Sequence, residues 1–191
     1  MRHHMLLLTG IALLAVAATA GCGPRDPSPA SGNREVPGHL ELTSGAFANG
    51  GDIREIYTCD GEDISPPLCW SDPPESTCGF ALIVDDPDAP LGTWAHWVLF
   101  NLAAVSRSLP AVVPAQDRLS DGSLQGKNGW GNIGYGGPCP PAGSTHTYIF
   151  KLYALDTMLD LEAGAKKTMV FRAMEGHILA QGQLTGQYSR E

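Results

Sequence analysis

Apolar residues in this chain gather into short runs divided by turn chemistry. Phe80-Ala81-Leu82-Ile83-Val84 and Trp97-Val98-Leu99-Phe100 are unbroken runs, and each predicts a strand buried on both faces. The second run extends to a strand over Trp94–Leu102. Thr147–Leu155 alternates apolar and polar positions and predicts a long strand. His39–Thr43, Ile53–Tyr57, Leu68-Cys69-Trp70 and Gln183–Tyr188 read as shorter ones. Lys166–Glu175 carries Met169, Val170 and Ala173 with Gly176 behind them, which predicts a short helix with a stop. Ser106–Asn132 has little periodicity and many turn residues, so it predicts a tightly pinned or functional loop. Short strands with Gly- and Pro-rich turns and no internal repeat predict one mainly β domain, an all-β sandwich, over residues 39–191.

The start of the chain has a different pattern. Arg2 precedes Leu6–Ala18, an apolar stretch of signal-peptide length and short for a membrane span. Thr19-Ala20-Gly21-Cys22 follows and resembles the box at which bacterial lipoproteins are cleaved and lipidated, although Thr19 stands where an aliphatic residue is usual. Residues 1–21 are expected to be a signal peptide and Cys22 the acylated, palmitate-type anchor point. Residues 22–38, rich in Pro, Ser and Gly, are expected to be a flexible tether. The expected location is the bacterial envelope, in the cell membrane or the outer membrane.

The 191 residues hold 20 acids against 12 bases, a formal charge of −8. Residues 1–21 carry one arginine and no acid, so the mature chain is more negative still. An acidic chain without a basic stripe does not read as a nucleic-acid binder.

Candidate chemistry sits between the two central strands. Asp85–Asn101, DDPDAPLGTWAHWVLFN, places Asp86, Asp88 and His96 at the mouth of two buried strands, where carboxylates are costly without partners. Asp86-Pro87-Asp88 also reads as a capped turn, the stronger reading for Asp88. Gly134–Phe150, GYGGPCPPAGSTHTYIF, compresses glycines and prolines before a strand that opens His146-Thr147-Tyr148. Two residues apart on a strand, His146 and Tyr148 share a face. Trp94 and Trp97 read as sandwich core. No C-x₂-C pair supports a zinc site.

Cys59, Cys69, Cys78 and Cys139 follow Cys22, and an exported chain permits disulfides. Four cysteines allow three pairings. Cys69 and Cys78 flank the turn Asp72-Pro73-Pro74-Glu75, and antiparallel neighbours there would lie at bridging distance. A Cys69–Cys78 disulfide is therefore expected. Cys59–Cys139 is compatible with it, as are two free thiols.

Five motifs occur in order: Cys59-Asp60-Gly61 with Ile64-Ser65-Pro66-Pro67, Asp86-Pro87-Asp88-Ala89-Pro90, His96-Trp97, Gly134–Pro141, and His146-Thr147-Tyr148. Together, over roughly His39–Tyr188, they resemble the phosphatidylethanolamine-binding protein family, most closely its bacterial Raf kinase inhibitor-like branch. The resemblance implies a Greek-key β-sandwich with a large central sheet and a few short helices. It also implies a small pocket for a phosphate-type anion such as a phosphoethanolamine head group. Asp86 and His96 map to one side of that pocket. Gly137, Pro138 and Pro140 of the loop, with His146 and Tyr148, map to the other. Asp88 and Trp97 are candidates for its support. Thr147 departs from an arginine common in relatives, and Ala95 from a histidine or aromatic.

Three function classes stand on these residues. The leading one is an envelope-anchored binding module for a phosphate-type anion or phospholipid head group, with no cofactor and no enzymatic role. The second is a protein-interaction module, a protease or kinase inhibitor acting on a protein partner through its outer surface. The third is a His/Asp-dependent hydrolase, for which Ser144 is the nearest nucleophile and a Gly-x-Ser-x-Gly elbow is absent. If Cys22 carries the anchor, Cys22→Ser moves the protein from the membrane to the soluble fraction on cell fractionation. A wild-type chain already soluble, with a different N-terminus by mass spectrometry, rules the anchor out.

Overall fold

The computed structural model describes residues 37–191. The expected signal peptide, Cys22 and nearly all of the tether lie outside them. Ten strands, one α-helix and one 3-10 turn make up the domain. The strands are β1 (Gly38–His39), β2 (Leu42–Thr43), β3 (Gly51–Asp52), β4 (Leu68–Trp70), β5 (Gly79–Asp86), β6 (Trp94–Ala103), β7 (Ser108–Leu109), β8 (Leu124–Gln125), β9 (Thr145–Leu155) and β10 (Ile178–Ser189). The helix α1 is Lys167–Met174. None of the described helices is long and apolar enough to cross a membrane.

Seven strands form the large sheet, in the order β1-β10-β9-β5-β6-β8 with β3 also on β10. A three-stranded sheet, β2-β4-β7, packs against one face. Side chains alternate along each strand. Phe80, Leu82 and Val84 of β5, Trp97 and Leu99 of β6 and Phe150 and Leu152 of β9 therefore meet Leu42, Leu68, Trp70 and Leu109 in one core. Ala81, Ile83, Val98, Phe100 and Tyr153 face the other way, where Val170 and Met174 of α1 cover them. Both faces of the central strands are covered, which is why β5 and β6 read as continuous apolar runs. The sandwich and its large central sheet are as the sequence predicts.

Several elements differ from their sequence reading. Ile53–Tyr57 is not a strand. Pairing ends at Asp52, and Glu55–Tyr57 winds into a 3-10 turn that buries Ile53 and Tyr57. His39–Thr43 divides between the two sheets, and β10 is twice the predicted strand. The 106–132 segment contains β7 and β8 and is pinned from within. Gln125 donates to the carbonyls of Pro114 and Gln116 and accepts from the Trp97 indole.

The expected Cys69–Cys78 disulfide is not formed: Cys69 is an exposed free thiol. Cys69 sits in β4 of the small sheet, whereas Cys78 leads into β5 of the large one. The two are not antiparallel neighbours. Cys59 and Cys139 are bonded instead, with Cα atoms 5.4 Å apart and 80 residues between them in sequence. A bond closing so long a loop stabilises by roughly 2–4 kcal/mol. Replacing both cysteines by serine is expected to lower unfolding stability by about that amount in urea titrations, whereas Cys69→Ser changes it little.

Candidate ligand-binding site

The carboxylates of Asp85 and Asp86 adjoin in sequence but point to opposite faces of β5. Asp85 turns to the helix side. There it accepts from Lys167 Nζ at 2.7 Å, and Tyr153, buried beside that charge, has its phenol pushed up to about 12. Asp86 turns toward β9. Its Oδ2 accepts from His146 Nδ1 at 2.7 Å, and its Oδ1 accepts from the Asp88 amide at 2.8 Å. Both partners of the Asp86–His146 contact are buried. Asp88 in turn accepts from the Thr147 amide, tying the 87–93 loop to β9. Asp88 is therefore a turn-and-strand clamp, while Asp86 both caps the turn and holds a histidine.

His96 reaches the same place through a bulge. Register shifts between Val84↔Trp97 and Asp85↔Ala95, leaving His96 without an opposite residue. Such bulges re-aim a side chain. Its Nδ1–H donates to the Gly136 carbonyl at 2.7 Å. A carbonyl only accepts, so this nitrogen carries the proton and Nε2 is left as an acceptor in the neutral ring. Burial lowers the His96 pKa from 6.5, against the opposing pulls of the Gly136 carbonyl and Asp86. His146 has the same tautomer in its neutral form, because Asp86 takes its Nδ1–H. Either ring offers a second N–H only when it carries a second proton.

Tyr148 is fully buried and packs edge-on against His96, ring centroids 5.0 Å apart. Its hydroxyl lies close to the Asp86 carboxylate and the Cys139 backbone without a well-formed hydrogen bond to either. Burial, then the nearby Asp86 charge, pushes its pKa well up, so the phenol stays protonated as a donor.

The glycine–proline loop is fixed from behind. Gly137 N–H donates to Asp63, Pro138 O accepts from the Cys59 amide, and Cys139 is bonded to Cys59. A Cβ on Gly137 would stand 2.4 Å from the Tyr57 carbonyl, so no side chain fits there. Asp63 itself adopts a left-handed backbone, φ 56°.

These residues surround a cavity of about 380 Å³. Asp86, His96, His146, Cys139, Pro140 and Pro141 line it, with Trp94, Trp130 and Arg190, and Ala89, Pro90 and Leu91 stand at its mouth. Of the residues singled out from sequence, Asp86, His96, His146 and Pro140 converge on it, with Tyr148 packed against His96. Gly137 and Pro138 do not line it; they are the buttress behind the wall. Trp97 is a core residue, and Trp94, read from sequence as core, lines the cavity with Trp130. Ser144 donates its hydroxyl to the Pro141 carbonyl and forms no nucleophile–base pair with His146.

Trp130 and Arg190 were missed by the sequence reading. Trp130 lies in the aperiodic segment, where no local pattern marks it, yet it packs edge-on against both His96 and Trp94. Arg190 follows β10 and shares its face with Tyr188. Both side chains bond Asp60. Arg190 is the only lysine or arginine among the described residues lining the cavity. The described residues hold no cluster of three His, Cys, Asp or Glu suited to a metal ion.

Burying a neutral imidazole sets a pH dependence. The unfolded chain takes up a proton at His96 near pH 6.5, while the folded chain resists it. Stability is therefore full above about pH 6.5 and is lost as pH falls below it. Urea titrations from pH 7.5 to 5 are expected to show this loss, and His96→Asn to flatten it.

Comparison with known proteins bears on the family. A model of the family described as phosphatidylethanolamine-binding protein matches residues 43–189. A UPF0098 protein of Methanothermobacter thermautotrophicus is 54% identical over 151 residues, 79% of this chain and 99% of its own. A UPF0098 protein of Chlamydia muridarum is 42% identical over 161 residues, 80% of this chain and all of its own. The crystal structure of a phosphatidylethanolamine-binding protein homologue from Chlamydia trachomatis superposes with a TM-score of 0.73 at 40% identity, covering 80% of this chain and 99% of that one. The YbcL protein of E. coli, a member of the same family, superposes with a TM-score of 0.75 at 32% identity over the same shares. With the fold, the ordered motifs and these relatives in agreement, the chain belongs to the phosphatidylethanolamine-binding protein family.

Proposed function

We propose that this domain is an envelope-anchored binding module, not an enzyme, and that its cavity holds a small phosphate-type anion such as a phosphoethanolamine head group. The observation that carries the reading is the convergence of Asp86–His146, His96 and Arg190 on one cavity, with Tyr148 packed against His96 behind its wall. Arg190 is a permanent cation at the cavity, and a bound anion would share it with Asp60, which already pairs with it. The Asp86 carboxylate repels a bare anion, so the ligand is favoured when a histidine is protonated or when it brings its own proton or ammonium group. Anchoring through Cys22 would place the cavity at the envelope, where such head groups are abundant.

Calorimetric titration tests the pocket. Sulfate, which holds its charge across this pH range, is expected to bind more weakly as pH rises from 5.5 to 8. Phosphoethanolamine at pH 7 is expected to lose roughly tenfold to a hundredfold in affinity with His146→Ala or Arg190→Gln. Tyr148→Phe tests the support behind His96: stability is expected to stay close to wild type while affinity falls. Unchanged affinity in all three variants would remove the pocket from the function and leave the outer surface as the binding site.

A further inference from the structure

Two large apolar side chains line the cavity and still show much of their surface to solvent. Leu91 is 94% exposed and Trp130 is 47% exposed. Isolated exposed leucines need no explanation. These two belong to separate loops that present them alike. Ala89–Gly92 closes a turn by a Gly92 N–H to Ala89 O bond, with Leu91 as its third residue. Asn128–Gly131 closes a turn by a Gly131 N–H to Asn128 O bond, with Trp130 as its third residue. Turn tips ordinarily carry Gly, Asn, Asp or Ser.

Both tips are held firmly. Asp86 and Asp88 clamp the first loop to β9 through the Asp88 and Thr147 amides. The Asn128 side chain accepts from the Trp130 and Asn132 amides, and Trp130 rests its edge on His96 and Trp94. An apolar lip around a polar floor is the result.

We propose that this lip is a membrane-docking surface: Leu91 and Trp130 enter the interfacial layer of a bilayer while the cavity takes the phosphoethanolamine head group of a lipid still seated there. The inference rests on the head-group reading above and adds where the lipid is met. A cavity of about 380 Å³ lies near the small end of ligand pockets. It suits a head group and not two acyl chains, so the chains stay in the membrane and the protein comes to them. Tryptophan, with an apolar body and a polar N–H, is suited to that boundary. The formal charge of −8 disfavours a strongly anionic surface and favours a zwitterionic one.

The test uses the mature chain, residues 22–191 with Cys22→Ser, so that neither an acyl group nor the apolar 6–18 stretch contributes, and vesicles of phosphatidylcholine with or without phosphatidylethanolamine. Residues 1–36 contain no tryptophan, so quenching by bromine-labelled lipid reports only on the domain. Quenching is expected with phosphatidylethanolamine vesicles, and Trp130→Phe is expected to abolish most of it. Leu91→Asp is expected to lower that quenching-detected binding about tenfold or more. The new carboxylate at the mouth also weakens soluble phosphoethanolamine, and the loss on vesicles is expected to exceed that loss by about fivefold or more. Phosphoethanolamine binding without lipid quenching, or quenching unchanged by Leu91→Asp, overturns the docking surface while leaving the pocket reading intact. A wild-type dimer that Leu91→Asp dissociates in analytical ultracentrifugation overturns it also, by showing that the lip is covered by a second copy. No phosphoethanolamine binding at all overturns both.

Discussion

Two adjacent carboxylates in the middle of a covered sheet are the constraint around which this domain is arranged. Asp85 and Asp86 close β5, and both are buried. A buried carboxylate without a partner is costly enough that the fold must supply one on each side. The pleat sends them apart, so two different partners are needed. Lys167 at the start of α1 answers Asp85, and the helix lies where its own lysine can do so. His146 answers Asp86, which fixes how the start of β9 sits against the end of β5. The position of the helix and the position of the site follow from one dipeptide.

Most of the sheet was legible in the sequence because both faces are covered. Continuous apolar runs over 80–84 and 97–100 leave little choice but a buried strand. The short strands were less legible, since two-residue pairings such as Gly51–Asp52 carry no periodicity. Ile53–Tyr57 has the composition of a strand, but its apolar residues serve a turn that plugs the sheet end. The Cys69–Cys78 pairing failed for a long-range reason: local geometry favours it only if both residues belong to one sheet, and no short stretch reveals that they do not.

The site was legible where a motif is compact and opaque where a contact crosses the fold. Asp86, His96, His146 and Tyr148 lie in dense local patterns. Trp130 and Arg190 reach the cavity from a loop and a strand end that carry no such pattern. Gly137 and Pro138 were rightly marked as unusual and given the wrong task. Their rigidity serves the wall from behind, through Asp63 and the Cys59 amide, and the cavity is faced by the next residues along. Unusual backbone chemistry marks a constraint without saying which side of the loop needs it.

The Cys59–Cys139 bond divides the domain in a way that the sheet alone does not. It closes a covalent ring containing β4 to β8, while β9, α1 and β10 lie outside it. Within the large sheet the boundary between the ring and the rest runs along the β5–β9 ladder, and the site sits at one end of that seam. Asp86 and His96 belong to the ring; His146, Tyr148 and Arg190 belong to the part outside. A molecule held by both groups therefore bridges the seam and opposes its opening, by an amount that grows with its concentration relative to Kd. Occupancy would then register far from the cavity, as slowed hydrogen exchange along the whole β5–β9 ladder.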